Sequence, residues 1–282
     1  MSSSQTAVLT GVVRGKIQWD ALLSAWTTYR IGGPADALVT LLDVQDLQDV
    51  LGFCRRENIA WKLLGRGSNV LAPDDGFRGI VMVFGDGFKQ IEIDREQDTS
   101  NVTVTAGAAV GMTKLANRTA DEGLTGFEFA AGIPGSVGGA VRMNAGAWGR
   151  SMGGVIDRIE LTNHEKSEIV RAKNLTFSYR KCDCPAFENN EFVITEVVLN
   201  LTPGDPEAIS VKMRDLGGRR KANQPHGMAN AGSVFKNPAG ASAGKLIDEA
   251  GLKGLRVGDA EVSEKHANFI VNKGNASAHD VQ

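Results

Sequence analysis

Three stretches of the sequence combine glycine, small polar residues and cations in a way that suits chemistry on an anionic ligand. In Gly65-Arg66-Gly67-Ser68-Asn69, after a short apolar run, successive backbone N–H groups can turn toward one anion, a phosphate being the natural guest; an ordinary tight turn competes with this reading. It is not a dinucleotide fingerprint, because Val70 stands in place of the third glycine and Asp74-Asp75 follows instead of a helix. The second stretch is Gly132-Ile133-Pro134-Gly135-Ser136-Val137-Gly138-Gly139-Ala140 with Asn144-Ala145-Gly146-Ala147-Trp148-Gly149, six glycines in eighteen residues. That density favours a ligand role over packing alone, and two such loops in one lobe suggest a diphosphate-bearing cofactor. The third is Gly232-Ser233-Val234-Phe235-Lys236-Asn237-Pro238, downstream of Arg219-Arg220-Lys221. A hydroxyl near cations and an amide can hold a carboxylate or phosphate and pass a proton in a closed site; a surface turn beside a basic helix end fits the spacing equally. Ser233 lacks a Gly-x-Ser-x-Gly setting, so no acyl-enzyme is indicated, and His266 by itself reads as a solvated or capping histidine.

Elements of ordinary length must position these loops. Apolar spacing predicts helices over 43–55, capped by Asp43, and over 110–122, with Leu115, Ala116 and Thr119 on one face. Strand-like runs occur at 60–64, 80–84, 102–105, 155–162 and 192–201. At Asp205-Pro206 the pattern turns helical, which places a domain boundary near Pro203. A helix over 241–250 and a strand over 268–272 follow, making a small α+β unit. Ser277 would cap a helix of which only one turn is present, too little to persist by itself; the expectation is fraying or a continuation beyond Gln282.

Composition narrows the classes. With 31 Lys+Arg against 33 Asp+Glu, the net charge of −2 offers no field for nucleic acid or anionic lipid. No apolar run approaches the roughly 20 residues of a membrane span, and no secretory leader is legible, so the expected location is cytoplasmic. Three cysteines, Cys54, Cys182 and Cys184, read as free thiols, and no metal site is expected.

Taken with Thr28-Tyr29-Arg30-Ile31-Gly32-Gly33-Pro34-Ala35, Tyr179-Arg180 and Lys245-Leu246-Ile247-Asp248, the three loops resemble the UDP-N-acetylenolpyruvoylglucosamine reductases, flavoenzymes of peptidoglycan precursor synthesis. The resemblance implies an α+β fold: a two-part FAD-binding unit of the vanillyl-alcohol-oxidase type (1–75 and 76–203) and a substrate-binding domain (204–282). It implies that FAD is held by Arg30, Gly32, Gly33, Gly65, Arg66, Gly67, Ser68, Asn69, Gly132, Ile133, Pro134, Gly135, Gly138, Gly139, Ala140, Asn144, Ala145 and Gly146, with His266 a looser match. Arg180 would neutralise the substrate carboxylate and Ser233 would donate a proton, while Tyr179, Arg220, Lys221 and Asn237 would contact substrate. The implied reaction passes hydride from NADPH to FAD and from flavin N5 to C3 of the enolpyruvyl group, with Ser233 protonating C2. The expected partners are these small molecules only, and the expected state is a monomer.

Eleven residues between Arg180 and Phe192 leave no room for the loop that lays a tyrosine over substrate in one branch, so the chain resembles the shorter-loop branch. The family pattern also continues past Gln282 with a glutamate-bearing segment, so a C-terminally shortened chain with reduced turnover is a further expectation. Two other readings are kept: an FAD oxidoreductase of the same fold acting on an alcohol or hydroxy acid, and an inactive flavin- or UDP-sugar-binding protein.

Overall fold

The computed structural model describes residues 1–95, 101–188 and 191–282. It divides into two compact units, each assembled from three separated stretches: Met1–Gln18, Leu38–Gly65 and Ile80–Gly217 form one, and Trp19–Ala37, Arg66–Gly79 and Gly218–Gln282 the other. The change of pattern near Pro203 is real, since the strand Val193–Pro203 gives way to the helix Pro206–Asn223. The division between compact units, however, comes later, within that helix.

The first unit is built on an antiparallel sheet in the order Ser167–Arg171, Ile156–Thr162, Val193–Pro203, Val102–Gly107, Ile91–Asp94. Its register matches apolar with apolar: Val197 faces Ala106, Leu199 faces Val104 and Leu201 faces Val102. Onto this core packs the helix Met112–Asp121, whose Met112, Leu115, Ala116 and Thr119 are buried at the spacing of one helical face. Burying each of the large aliphatic side chains stabilises the fold by roughly 1.5–3 kcal/mol.

The helix Val44–Arg56 begins where Asp43 accepts from the Asp46 N–H at 3.0 Å. Asp46 itself is wholly buried and accepts from the backbone N–H groups of Leu42, Arg14 and Gly15 at 2.8, 2.9 and 3.2 Å. A buried carboxylate is tolerated here because donors surround it, and it ties the chain entering the unit to the start of the helix. Trp61–Leu63 pairs in parallel with residues 80–82.

The second unit carries an antiparallel sheet of Arg256–Val257, Ala260–Val262 and Ile270–Asn272. Tyr29, Ile31, Ala260, Ala276 and Ala278 form its core. The last turn, Ala278–Val281, does not fray: Ser277 and Asp280 close a capping box, and the Asp74 carboxylate accepts from the N–H groups of Ala278 and His279 at 2.7 and 3.0 Å. Tertiary hydrogen bonds and the burial of Ala278 supply what length does not. No helix among the described residues is long and apolar enough to cross a membrane.

Candidate functional site

Within the second unit three sequence motifs converge. The Thr28 N–H donates to Gly67 O at 3.1 Å, and its hydroxyl donates to Asn230 O at 2.7 Å. A Cβ on Gly232 would stand 3.9 Å from Ser68 O, so the segment bearing Ser233 lies beside the 66–69 loop. Gly67 has φ +63°, and a Cβ there would meet Trp26 O at 2.1 Å, so only glycine fits. Among the described residues, the N–H groups of Arg66, Gly67, Ser68 and Asn69 donate to no protein acceptor. Consecutive idle amides are groups that a bound oxyanion could engage.

Ser233 is solvent-exposed, and the backbone around it is fixed from below by Asn268. That buried side chain accepts from the Phe235 N–H at 2.9 Å and donates to Phe235 O at 2.8 Å, and its backbone carbonyl accepts from the Val234 N–H at 2.9 Å. Sequence reasoning placed Asn268 at the start of a strand and missed this role; an asparagine opening an apolar run is the only trace it leaves. Arg30 is exposed and held at φ +57°, while Gly32 and Gly33 are demanded by their neighbours, Ala72 Cβ and Asp74 O lying 2.6 and 2.1 Å from where a Cβ would be.

In the first unit, Gly65 lies against Ser136, whose Oγ would be 2.5 Å from an added Cβ. Gly132 and Gly135 take φ of +70° and +111°, and among the described residues their N–H groups and that of Ser136 donate to no protein group. Ile133 and Pro134 lie between them. The helix Val137–Arg142 that follows is different: the Val137 and Gly138 amides donate to Val110 O and Ala108 O at 2.8 and 3.0 Å. Gly138 is also a packing residue, 2.8 Å separating an added Cβ from Ala108 Cβ, as is Gly146, 2.4 Å from Arg150 O. Gly139 follows the Ser136 cap, and the Ala145 N–H returns to Ala140 O at 2.7 Å. Glycine density here thus reflects close main-chain packing as well as idle amides.

Tyr179 and Arg180 form the two-residue turn of the hairpin Thr176–Ser178 and Lys181–Asp183. Arg180 sits at φ +59°, a region that costs a non-glycine residue about 1 kcal/mol or more, and its guanidinium donates to Gly146 O at 3.3 Å and lies 5.4 Å from the Tyr179 ring.

Other expected site residues have protein partners. Asn237 Oδ1 accepts from the Ala243 N–H at 3.0 Å, opening the helix Ala243–Glu249. Lys221 O accepts from Lys265 Nζ at 2.7 Å, and Arg220 reaches Gln224 Oε1 at 3.4 Å. His266 accepts from the Asn268 N–H at Nδ1, 3.2 Å, and meets the Phe269 ring edge-on at 4.8 Å. Burial, with a smaller contribution from the Lys253 charge, holds its pKa below the ordinary value of 6.5. The unfolded chain therefore binds a proton that the native one does not: this contribution to stability is complete above pH 6.5 and is lost as pH falls from there through the folded pKa. Urea unfolding of wild type and His266→Gln at neutral pH and near pH 5.5 should show wild type losing more stability on acidification; equal losses would contradict it.

Tyr29 supplies one further sign of fit. Its hydroxyl is buried without a protein hydrogen bond and is pushed up to about 12 by that burial. The two glycine loops thus lie in different compact units, each with idle amides suited to an oxyanion, and in the second unit the Tyr29 hydroxyl adds a buried polar group without a protein partner.

Comparison with known proteins agrees. Residues 35–172 match the FAD binding domain family, and residues 224–282 match the UDP-N-acetylenolpyruvoylglucosamine reductase C-terminal domain family. The chain is 45% identical over 281 residues to the UDP-N-acetylenolpyruvoylglucosamine reductase of Desulfosudis oleivorans, covering 97% of this chain and 88% of that one. The crystal structure of the Thermus caldophilus enzyme of that name superposes with a TM-score of 0.80 at 36% identity, covering 95% of this chain and 91% of that chain. A solvent-stable cholesterol oxidase, 13% identical with a TM-score of 0.50, covers 67% of this chain and 38% of its own, and shares the fold alone. The expected fold class, a two-part FAD-binding unit with a C-terminal α+β domain, is the one observed.

Proposed function

Since this chain belongs to the UDP-N-acetylenolpyruvoylglucosamine reductase family, we propose which of its residues carry each part of that reaction. The protein is an FAD-dependent oxidoreductase of peptidoglycan precursor synthesis that uses NADPH to reduce the enolpyruvyl ether of UDP-N-acetylglucosamine to UDP-N-acetylmuramate. In the second unit Arg66, Gly67, Ser68 and Asn69 are assigned to the cofactor diphosphate through their idle amides, with Arg30, Gly32 and Gly33 of the same unit; in the first unit Gly132, Gly135 and Ser136 are likewise assigned to the cofactor. When bound, FAD supplies the hydride that the substrate's terminal carbon receives.

The rest is work for the chain. Hydride addition to an enol ether conjugated with a carboxylate drives negative charge onto that carboxylate, and Arg180 stabilises it as it builds. Ser233 holds the proton that C2 needs and releases it only as carbanion character develops, which is why so weak an acid suffices. Tyr179, Arg220, Lys221 and Asn237 orient the substrate. The observation that carries the assignment is the juxtaposition, in one unit, of the idle 66–69 amides and the Ser233 segment. By role the chain divides into 1–75 and 76–203 for the cofactor and 204–282 for substrate, and it works as a cytoplasmic monomer.

The test is an assay of purified, FAD-loaded protein. NADPH oxidation should require the UDP-sugar enol ether. Oxygen uptake with simple alcohols or hydroxy acids, and none dependent on NADPH, would move the chain to another chemistry on the same fold.

A further inference from the structure

The hairpin that carries Arg180 is too small to stand alone. Among the described residues its strands, Thr176–Ser178 and Lys181–Asp183, pair only with each other, and an isolated two-stranded hairpin is marginally stable in water. Its turn nevertheless keeps Arg180 in a left-handed conformation that needs outside support. Besides the packing of Cys182 and Phe177 on the core, residues 142–146 make three hydrogen bonds to the hairpin. Asn144 Nδ2 donates to Ser178 O at 2.9 Å on the strand before the turn, and Arg142 donates to Cys182 O at 2.7 Å on the strand after it. The third is the bond from Arg180 to Gly146 O.

Both side chains are themselves fixed. Asn144 is buried, at φ +39°, and its Oδ1 accepts from the Gly153 N–H at 3.0 Å, so both ends of its amide are taken by protein. The Arg142 guanidinium lies 4.4 Å from the centre of the Phe187 ring. Gly153 completes the seat, since a Cβ there would meet Phe177 of the hairpin at 2.5 Å.

We propose that Arg142 and Asn144 are positioning residues for the reductase reaction: they clamp the two strands on either side of the turn and so hold Arg180 where the substrate carboxylate is neutralised. This inference rests on the role given to Arg180 above. It moves Asn144 from cofactor contact to support of Arg180, and it gives Arg142 a part that its place at the end of a helix does not suggest.

The experiment is a double-mutant cycle on the full-length, FAD-loaded protein. Asn144→Gly removes the clamp while keeping the backbone conformation accessible, and Arg142→Ala is paired with Arg142→Lys, which retains a donor for Cys182 O. Each removal should lower kcat/KM for the enol ether about tenfold or more, with flavin content and absorbance unchanged, and lysine at 142 should restore most of the loss. In an Arg180→Ala background the same changes should alter the rate by less than about twofold, because the group being positioned is gone. Full, additive losses in that background would overturn the clamp and leave the two residues as fold stabilisers. A wild-type rate in Arg180→Ala itself would instead overturn the role of Arg180, a distinguishable result.

Discussion

Replacing Ser233 by alanine should lower turnover of the enol ether by about 10²–10⁴, the usual range for a positioned proton donor, while leaving KM and the bleaching of the flavin by NADPH nearly unchanged. The split follows from where Ser233 sits. It is exposed and its segment is anchored by Asn268 through Phe235 and Val234, so among the described residues losing the hydroxyl breaks no hydrogen bond that holds the loop. Hydride transfer from NADPH precedes any need for the proton, so only the second half of the reaction should slow. Stopped-flow traces of the two half-reactions read the difference directly. Equal slowing of both, or no slowing of the second, would remove Ser233 from its role.

Arg180→Gly should separate stability from activity. Glycine accepts φ +59° without penalty, so relief of strain of about 1 kcal/mol opposes the loss of the bond to Gly146 O and the contact with the Tyr179 ring. Unfolding by urea should therefore shift little. The rate should fall by about 10²–10³, the typical consequence of removing one group that stabilises developing negative charge. Arginine and lysine are not equivalent at such a position, because the planar fork meets a carboxylate at two points; Arg180→Lys should recover only part of the rate. A large loss of stability in the glycine variant with normal kinetics would reverse the argument.

How much of this was legible beforehand depends on range along the chain. The helices Val44–Arg56 and Met112–Asp121 and the strands of the first unit follow from periodicity, because one buried face writes itself into residue spacing. The first helix, Ser3–Val12, passed unnoticed: it has almost no apolar stripe, and its signal is the Ser2 and Gln5 capping box. The loops could be recognised as ligand-suited, but which glycines have idle amides and which are squeezed by neighbouring main chain depends on partners far away. Ala108 beside Gly138 and Trp26 beside Gly67 are such cases. The asparagines are the least legible of all. Asn144 and Asn268 act through two-ended amide bridges whose partners, Ser178, Gly153 and Phe235, share no local pattern with them.

The interleaving of the two units has a consequence for how the protein is made. Trp19–Ala37 and Arg66–Gly79 belong with Gly218–Gln282, so when they emerge from the ribosome their packing partners have not yet been translated. At about 5–20 residues per second that wait lasts on the order of ten seconds or more, during which Tyr29 and Ile31 have no core to enter. Nascent chains should thus depend on chaperone shelter until Gly218–Gln282 has emerged, and a gene split near the middle should yield two fragments that rescue function only when expressed together.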